Sequence, residues 1–384
     1  MNITFFAARK LHQEYFRKVA DQLDSDGQSA SVLWHKDLWK TPRFLLQLIS
    51  AFNTNSLNSL RSTIHDHELE KKNSQKGLKR HSGYWRLFRA IKGLESFILF
   101  AIYRNALMQS AATHMVIWNG LKYRQRIANA AADSLQIKTI YMENGLLPGR
   151  TTIDAKGINF RNSVPRESAA FSELAPIDLK PLNKALSDQF QPKPAGLPDN
   201  YIFVPFQVNT DSQVVLFSPW IKTMFELVNV FHRVLEKLGE KAPHIVFKPH
   251  PACDQDYKSL ISNYQQHPKI HFAEEISTAV LIQHADAIAT INSTVGIESL
   301  LLDKKLIVLG QAFYAYPEIT LSASDKDELS AALGKIPDWK PDHLAIQRLF
   351  NYLVNQYQLA GRWQDADHEH IEACSKRIQE LANG

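Results

Sequence analysis

Three carboxylates and one histidine stand just beyond apolar runs, and their types are those that perform group-transfer chemistry. Glu143 follows Ile137-Lys-Thr-Ile-Tyr141, and Asp211 follows Tyr201-Ile-Phe-Val-Pro-Phe-Gln207. His250 follows His244-Ile-Val-Phe247, and Glu298 follows Ala287-Ile-Ala-Thr-Ile291. A carboxylate in the place of Glu143 serves as general base toward a hydroxyl, or simply caps the next segment or pairs with Arg150. Asp211 is placed to attack an anomeric carbon, or to cap a helix N-terminus. In Lys248-Pro-His250-Pro251 two prolines restrict the backbone around the histidine. A fixed cation and imidazole suit a phosphate or a sugar carboxylate, and the alternative is a turn whose histidine satisfies nearby backbone. Asn292-Ser293-Thr294-Val-Gly296 brings small hydroxyls to a helix start, an anion-binding pattern, with Glu298 placed to accept ribose hydroxyls. A capping box uses similar residues.

The elements that position these residues read as short buried strands alternating with helices, a pattern that implies parallel sheets. Ile3–Phe6 and Ser31–Trp34 read as strands around a helix from Leu11 to Leu23. Residues 41–76 are polar and weakly periodic, which suggests loops and short helices. Met115–Trp118, a helix over Tyr123–Leu135 and Ile137–Tyr141 form a β-α-β unit. A hairpin is expected around Asp154–Gly157. Five prolines between residues 175 and 200 suggest an interdomain linker. The expected architecture is two Rossmann-like α/β lobes of GT-B-like type: an acceptor-side domain over residues 1–190, a nucleotide-sugar domain over 198–340 and C-terminal helices over 341–384. Ligands in such sheets bind beyond the carboxyl ends of the strands.

Composition narrows the class. The chain of 384 residues is 45% hydrophobic and 22% charged, ordinary for a soluble globular protein. A net charge of +5 favours an anionic ligand or membrane surface without requiring nucleic acid. Two cysteines give no disulfide framework or zinc set and fit a reducing cytoplasm. No signal peptide or transmembrane run is expected. Asp24-Ser-Asp26, Asp254-Gln-Asp256 and Asp365-Ala-Asp367 read as solvated or capping acids, and His368 and His370 as surface residues, so no metal site is expected. From Lys71 to Lys92 there are eight basic residues and no acidic one, and over residues 71–94 Trp85, Leu87, Phe88, Ile91 and Leu94 are interleaved with Arg86, Arg89 and Lys92. That pattern fits an amphipathic helix lying on an anionic membrane, or a surface helix packed on the domain core.

Glu143-Asn144-Gly145, Gln207-x-x-x-Asp211, Lys248-Pro-His250-Pro251 and Asn292-Ser293-Thr294-x-Gly296-x-Glu298 together resemble the capsule polysaccharide synthesis proteins, including the retaining β-Kdo (3-deoxy-D-manno-oct-2-ulosonic acid) transferases of Gram-negative capsules and O-antigens. Leu309-Gly-Gln-Ala-Phe-Tyr314 resembles the segment that follows, and the likeness runs from about Tyr141 to Tyr316. It implies a metal-independent, two-lobed transferase moving Kdo from CMP-β-Kdo to a glycan or glycolipid by double displacement at the inner face of the cytoplasmic membrane. Asp211 then matches the nucleophile, His250 the histidine of the His-Pro motif and Glu143 the acid of the Glu-x-Gly motif. The donor set comprises Gln207, Lys248, Asn292, Ser293, Thr294, Gly296, Glu298 and Arg150, with the cytidine nucleotide expected at Lys248, Ser293, Thr294 and Glu298. An anionic sugar on a phosphate calls for cations such as Lys248, Arg150 and a protonated His250. One departure is Asn144, where capsule enzymes often carry Asp. The competing readings are a transferase of the same fold using CMP-sialic acid or a UDP-hexose, and a non-catalytic capsule export or assembly factor.

Overall fold

A computed structural model describes residues 1–40 and 53–384. The chain divides into two compact units. The first holds Met1–Leu69, Arg80–Ser163 and Tyr357–Gly384; the second holds Glu70–Lys79 and Val164–Gln356. Both are α/β and Rossmann-like.

In the first unit the strands are β1 (Asn2–Ala7), β2 (Ser29–Trp34), β3 (His114–Trp118), β4 (Lys138–Asn144) and β5 (Arg150–Asp154). The helices are α1 (Lys10–Ser25), α2 (Thr54–Lys72, which runs on into the second unit), α3 (Ser82–Gln109) and α4 (Tyr123–Asp133). Strands β1 to β4 pair in parallel, whereas β5 runs antiparallel to β4. The strands are apolar on both sides because helices cover both faces. Ile3, Phe5, Val116 and Ile140 pack against Phe16, Val19 and Leu23 of α1 on one face. Phe6, Met115 and Ile117 pack against Phe100, Tyr103 and Leu107 of α3 and Ile127 of α4 on the other.

The second unit carries β6 (Tyr201–Pro205), β7 (His244–Lys248), β8 (Ile270–Phe272), β9 (Ala287–Thr290), β10 (Lys305–Val308) and β11 (Leu321–Ser322). They are ordered β11-β10-β9-β6-β7-β8, parallel throughout. Its helices are α5 (Lys180–Ser187), α6 (Ser212–Phe217), α7 (Met224–Leu238), α8 (Lys258–Tyr264), α9 (Thr278–His284), α10 (Val295–Leu301), α11 (Lys326–Lys335) and α12 (His343–Tyr352). Helix α7 starts at a reciprocal capping box between Thr223 and Glu226 and buries Leu227, Phe231 and Leu235 on the sheet.

Several sequence expectations are corrected. Residues 41–52 lie outside the described ones, but the rest of the stretch read as loops and short helices contains the 19-residue α2. Its weak periodicity follows from polar partners: buried Glu68 takes Arg89, and Asp66 takes Arg126. The hairpin turns at residues 145–149, between β4 and β5. Asp154 instead closes an Asx-type turn, accepting from the backbone of Lys156 (2.6 Å) and Gly157 (3.1 Å). The proline-rich stretch belongs to the second unit and does not separate units: Asn183 donates to Leu301 O (3.1 Å) and Asn351 to Ala175 O (2.7 Å).

The C-terminal residues do not stand apart either. Helix α12 stays in the second unit, and Tyr357–Gly384 joins the first. There β12 (Gln358–Ala360) adds antiparallel to β5, and α13 (His368–Asn383) buries Ile371, Cys374 and Ile378 in the core formed by α1. Full burial of each isoleucine contributes about 1.5–3 kcal/mol, so the tail is part of the fold. His370 is buried, not a surface residue, and sits 3.0 Å from the Tyr15 hydroxyl.

Candidate functional site

The second sheet reverses direction at β6 and β9: β7 and β8 continue on one side of β6, β9 and β10 on the other. The crevice beyond such a reversal is the ligand position of open parallel sheets. Gln207 and Asn292 lie there. They lock together, Gln207 Nε2 donating to Asn292 Oδ1 (3.0 Å) and the Asn292 backbone N–H to Gln207 Oε1 (3.2 Å). Asn292 Nδ2 also reaches Gln213 O (3.0 Å) and Phe217 O (3.2 Å). With these groups so engaged, both residues tie the chain beyond β6 to the chain beyond β9.

Asp211 caps α6: its Oδ1 accepts from the Gln213 amide at 2.8 Å. The capping reading therefore holds, and it does not use up the carboxylate. Oδ2 has no hydrogen-bond partner among the described residues, so the cap orients one oxygen and leaves the other available.

His250 is close enough to Asp211 for the carboxylate to favour its imidazolium, but burial outweighs that and lowers the pKa. Burial thus works against the protonated His250 expected from sequence, and Asp211 works for it. The residue as a whole is exposed. Nδ1 accepts from the Ala252 amide (3.1 Å), which leaves the neutral ring's proton on Nε2. Lys248 Nζ donates to Glu274 O (2.7 Å), and its pKa is lowered by burial against the opposing pull of Glu275 and Glu274.

Past β9, Ser293 Oγ accepts from the Val295 amide (3.2 Å), and Ser293 O accepts from the Tyr314 hydroxyl (2.5 Å). Gly296 is fixed by that ring, since a Cβ there would lie 2.6 Å from the Tyr314 hydroxyl oxygen. Thr294 is exposed at the N-cap of the seven-residue α10 and makes no side-chain cap. Glu298 is the unusual member: its carboxylate is half-buried, burial raises its pKa, and it has no ion-pair or hydrogen-bond partner among the described residues.

Glu143 and Arg150 belong to the first unit. Glu143 accepts from Asn119 Nδ2 (2.6 Å), and Asn119 takes a positive φ of 66° beyond β3. Gly145 is needed because a Cβ would come within 2.6 Å of the Arg150 backbone. Burial lowers the Arg150 pKa. The half-buried Trp363 donates to Asn144 Oδ1 (2.9 Å) and packs against Trp118 and His12.

Sequence reasoning missed Gln213, Asn119, Tyr314 and Trp363 as supports of this chemistry. Asn119-Gly120 ends a readable strand, a signal that could have found Asn119; Trp363 has no local signal, because its partners come from far along the chain. The acidic triplets act as caps and pairs: Asp24 accepts from Ala30, Asp26 from Ser375, Asp256 from Lys258 and Asp367 from His370, while Asp365 pairs with Arg362.

The model of the capsule polysaccharide biosynthesis protein family matches residues 180–363, a span that contains every site residue of the second unit. Protein FixF of Sinorhizobium fredii is 34% identical over 254 residues, 65% of this chain and 61% of that protein. The capsule polysaccharide export protein KpsS of Escherichia coli is 28% identical over 173 residues, 42% of each. The chain thus spans less than two thirds of the length of these relatives. Among solved structures, the β-Kdo 2,7 transferase of Thermosulfurimonas dismutans KpsC matches 100% of this chain and 99% of that one, with a TM-score of 0.52 and 15% identity, a likeness of fold. The β-Kdo 2,4 transferase of the same KpsC also has a TM-score of 0.52, at 16% identity over 94% of this chain and 92% of that one. Over residues 180–363 the chain is thus similar to the capsule polysaccharide biosynthesis proteins, and it resembles FixF and KpsS over part of their length.

Proposed function

We propose that the protein is a retaining glycosyltransferase that moves Kdo from CMP-β-Kdo to a glycan or lipid-linked acceptor, without a metal. The observation that carries this reading is Asp211, anchored through one carboxylate oxygen with the other unengaged, and close enough to His250 to act on its charge. A nucleophile needs that combination of fixed orientation and a free lone pair.

In the first displacement, Asp211 Oδ2 bonds to the anomeric carbon. The carbon–oxygen bond to the phosphate breaks, and its electron pair leaves with CMP. His250 Nε2–H stabilises the departing phosphate by a hydrogen bond, and the Lys248 ammonium offsets its charge. In the second displacement the acceptor hydroxyl loses its proton to a base, the role that the Glu-x-Gly motif assigns to Glu143, and its oxygen attacks the same carbon and expels the Asp211 carboxylate. Two inversions give retention. Glu298 accepts the ribose hydroxyls, which supply the donors its carboxylate lacks. Ser293 and Thr294 contact the nucleotide, and Gln207, Asn292 and Gly296 hold its floor. Arg150 is assigned to the anionic sugar.

Calorimetric titration with CMP, UMP and GDP, followed by transfer assays with CMP-Kdo in the presence of EDTA, tests the assignment. CMP should bind at least about tenfold more tightly than UMP or GDP, given the discrimination a single base-edge hydrogen bond provides. A preference for UMP would shift the reading to a UDP-sugar, and loss of transfer in EDTA would end the metal-independent mechanism.

A further inference from the structure

Helix α3 has a division along its length that the transferase reading leaves unused. Its C-terminal half is core, with Leu99, Phe100, Ile102 and Tyr103 buried against the first sheet. Its N-terminal half buries Trp85 and Ser96 on one side only. Tyr84, Leu87, Ile91 and Leu94 recur at spacings of three and four residues on another side, 36, 61, 55 and 67% exposed. Other large exposed apolar residues, such as Leu11, Phe190 and Leu344, are far from this row in sequence. A row of four on one helix face is not that kind of scatter.

The charges beside the row are positive. Arg80 lies over the Tyr84 ring, 4.9 Å from its centroid, and Arg86 is exposed with no hydrogen bond or ion pair among the described residues. Arg89 and Lys92 are spent on Glu68 and Glu95. Lys76 and Lys79, both exposed, lie in the stretch of sequence leading into the helix.

We infer that the N-terminal half of α3 is a docking surface for a bilayer rich in anionic lipid. The helix lies in the interface, with Leu87, Ile91 and Leu94 entering the acyl boundary and Tyr84 at headgroup level. Arg80 and Arg86 meet the anionic headgroups. The same charges disfavour a second copy of the chain as the occupant, because a two-fold pairing of this face sets cations against cations. No helix among the described residues is long and apolar enough to cross a membrane, so the attachment is peripheral.

Flotation of the whole chain with phosphatidylcholine vesicles, with and without phosphatidylserine, tests this without any nucleotide or acceptor. Binding to the anionic vesicles should exceed binding to neutral ones by about tenfold or more and fall with added salt. Leu87→Ser with Ile91→Ser should lower it by about tenfold or more, because both the buried apolar area and its anchoring are lost. Arg80→Gln with Arg86→Gln should remove most of the preference for anionic lipid and leave residual neutral binding. All four side chains face outward, so thermal melts should be unchanged, which separates lost docking from lost fold. Wild-type protein that does not float, or variants that float as well as wild type, would overturn the inference. So would concentration-dependent dimerisation abolished by Leu87→Ser with Ile91→Ser.

Discussion

The two sheets treat their strand ends in opposite ways. In the second unit the polar residues beyond β6 and β9 divide into a locked pair, Gln207 with Asn292, and groups left with unspent oxygens, Asp211 and Glu298. In the first unit the corresponding edge is closed by remote chain: Trp363 bonds Asn144, and His370 packs beside Tyr15. Glu143 there is already held by Asn119. One edge thus leaves carboxylate oxygens without partners among the described residues, whereas the other is closed largely by the C-terminal segment returning to it.

The sharpest way to break this contrast is to spend the free oxygen. Asp211→Asn should lower transfer by about a thousandfold or more, while Asn still caps α6 and stability stays within about 0.5 kcal/mol. Initial-rate assays beside a urea titration read both. His250→Ala should cost about a hundredfold in transfer, the usual size for a lost general-acid or hydrogen-bond role. A kcat loss shared by all acceptors would place it on the leaving group.

Glu298 sharpens the comparison, because a carboxylate without a partner should serve binding at the expense of stability. Glu298→Gln should weaken CMP by about tenfold, the value of a charge-assisted hydrogen bond, and raise Tm by about 1–2 °C. The sign follows from its raised pKa: the folded protein holds this proton more tightly than the unfolded chain, so stability falls as pH rises through the folded value. The gain in Tm should therefore be present at neutral pH and vanish below the ordinary glutamate range. CMP affinity of the wild type should fall over the same window as the carboxylate is protonated.

Substitutions of the locked groups should show the reverse pattern, stability before binding. Asn292→Ala leaves Gln207 Nε2 without its acceptor and removes the Nδ2 donor from the Gln213 and Phe217 carbonyls, which should cost about 2–3 kcal/mol by denaturant titration. Smallest is Tyr357→Phe in the first unit. It removes one buried hydrogen bond to Asp154 (2.8 Å) and should cost about 1 kcal/mol without altering CMP binding.

What could be read from sequence follows the same division. The second sheet was legible because each strand is a short apolar run followed by its own loop and helix, all local signals. Asp211, His250 and Glu298 were locatable for the same reason. The lock between Gln207 and Asn292 was not, since it joins residues 85 positions apart. The first unit was less legible. Its β12 is three residues long and arrives from the far end of the chain, and α2 is held by ion pairs that periodicity does not register. The balance at His250 was not legible, because motif spacing carries no information about desolvation, which outweighs the nearby carboxylate.

The central claim is that Asp211 forms a covalent bond to the transferred sugar, and intact-mass spectrometry with CMP-Kdo and no acceptor tests it most directly. The account predicts addition of one Kdo, mapped to Asp211 by peptide digestion, absent in Asp211→Asn and discharged when an acceptor is supplied. An Asp211→Asn protein that still transfers Kdo at the wild-type rate, or an adduct on another residue, would contradict it.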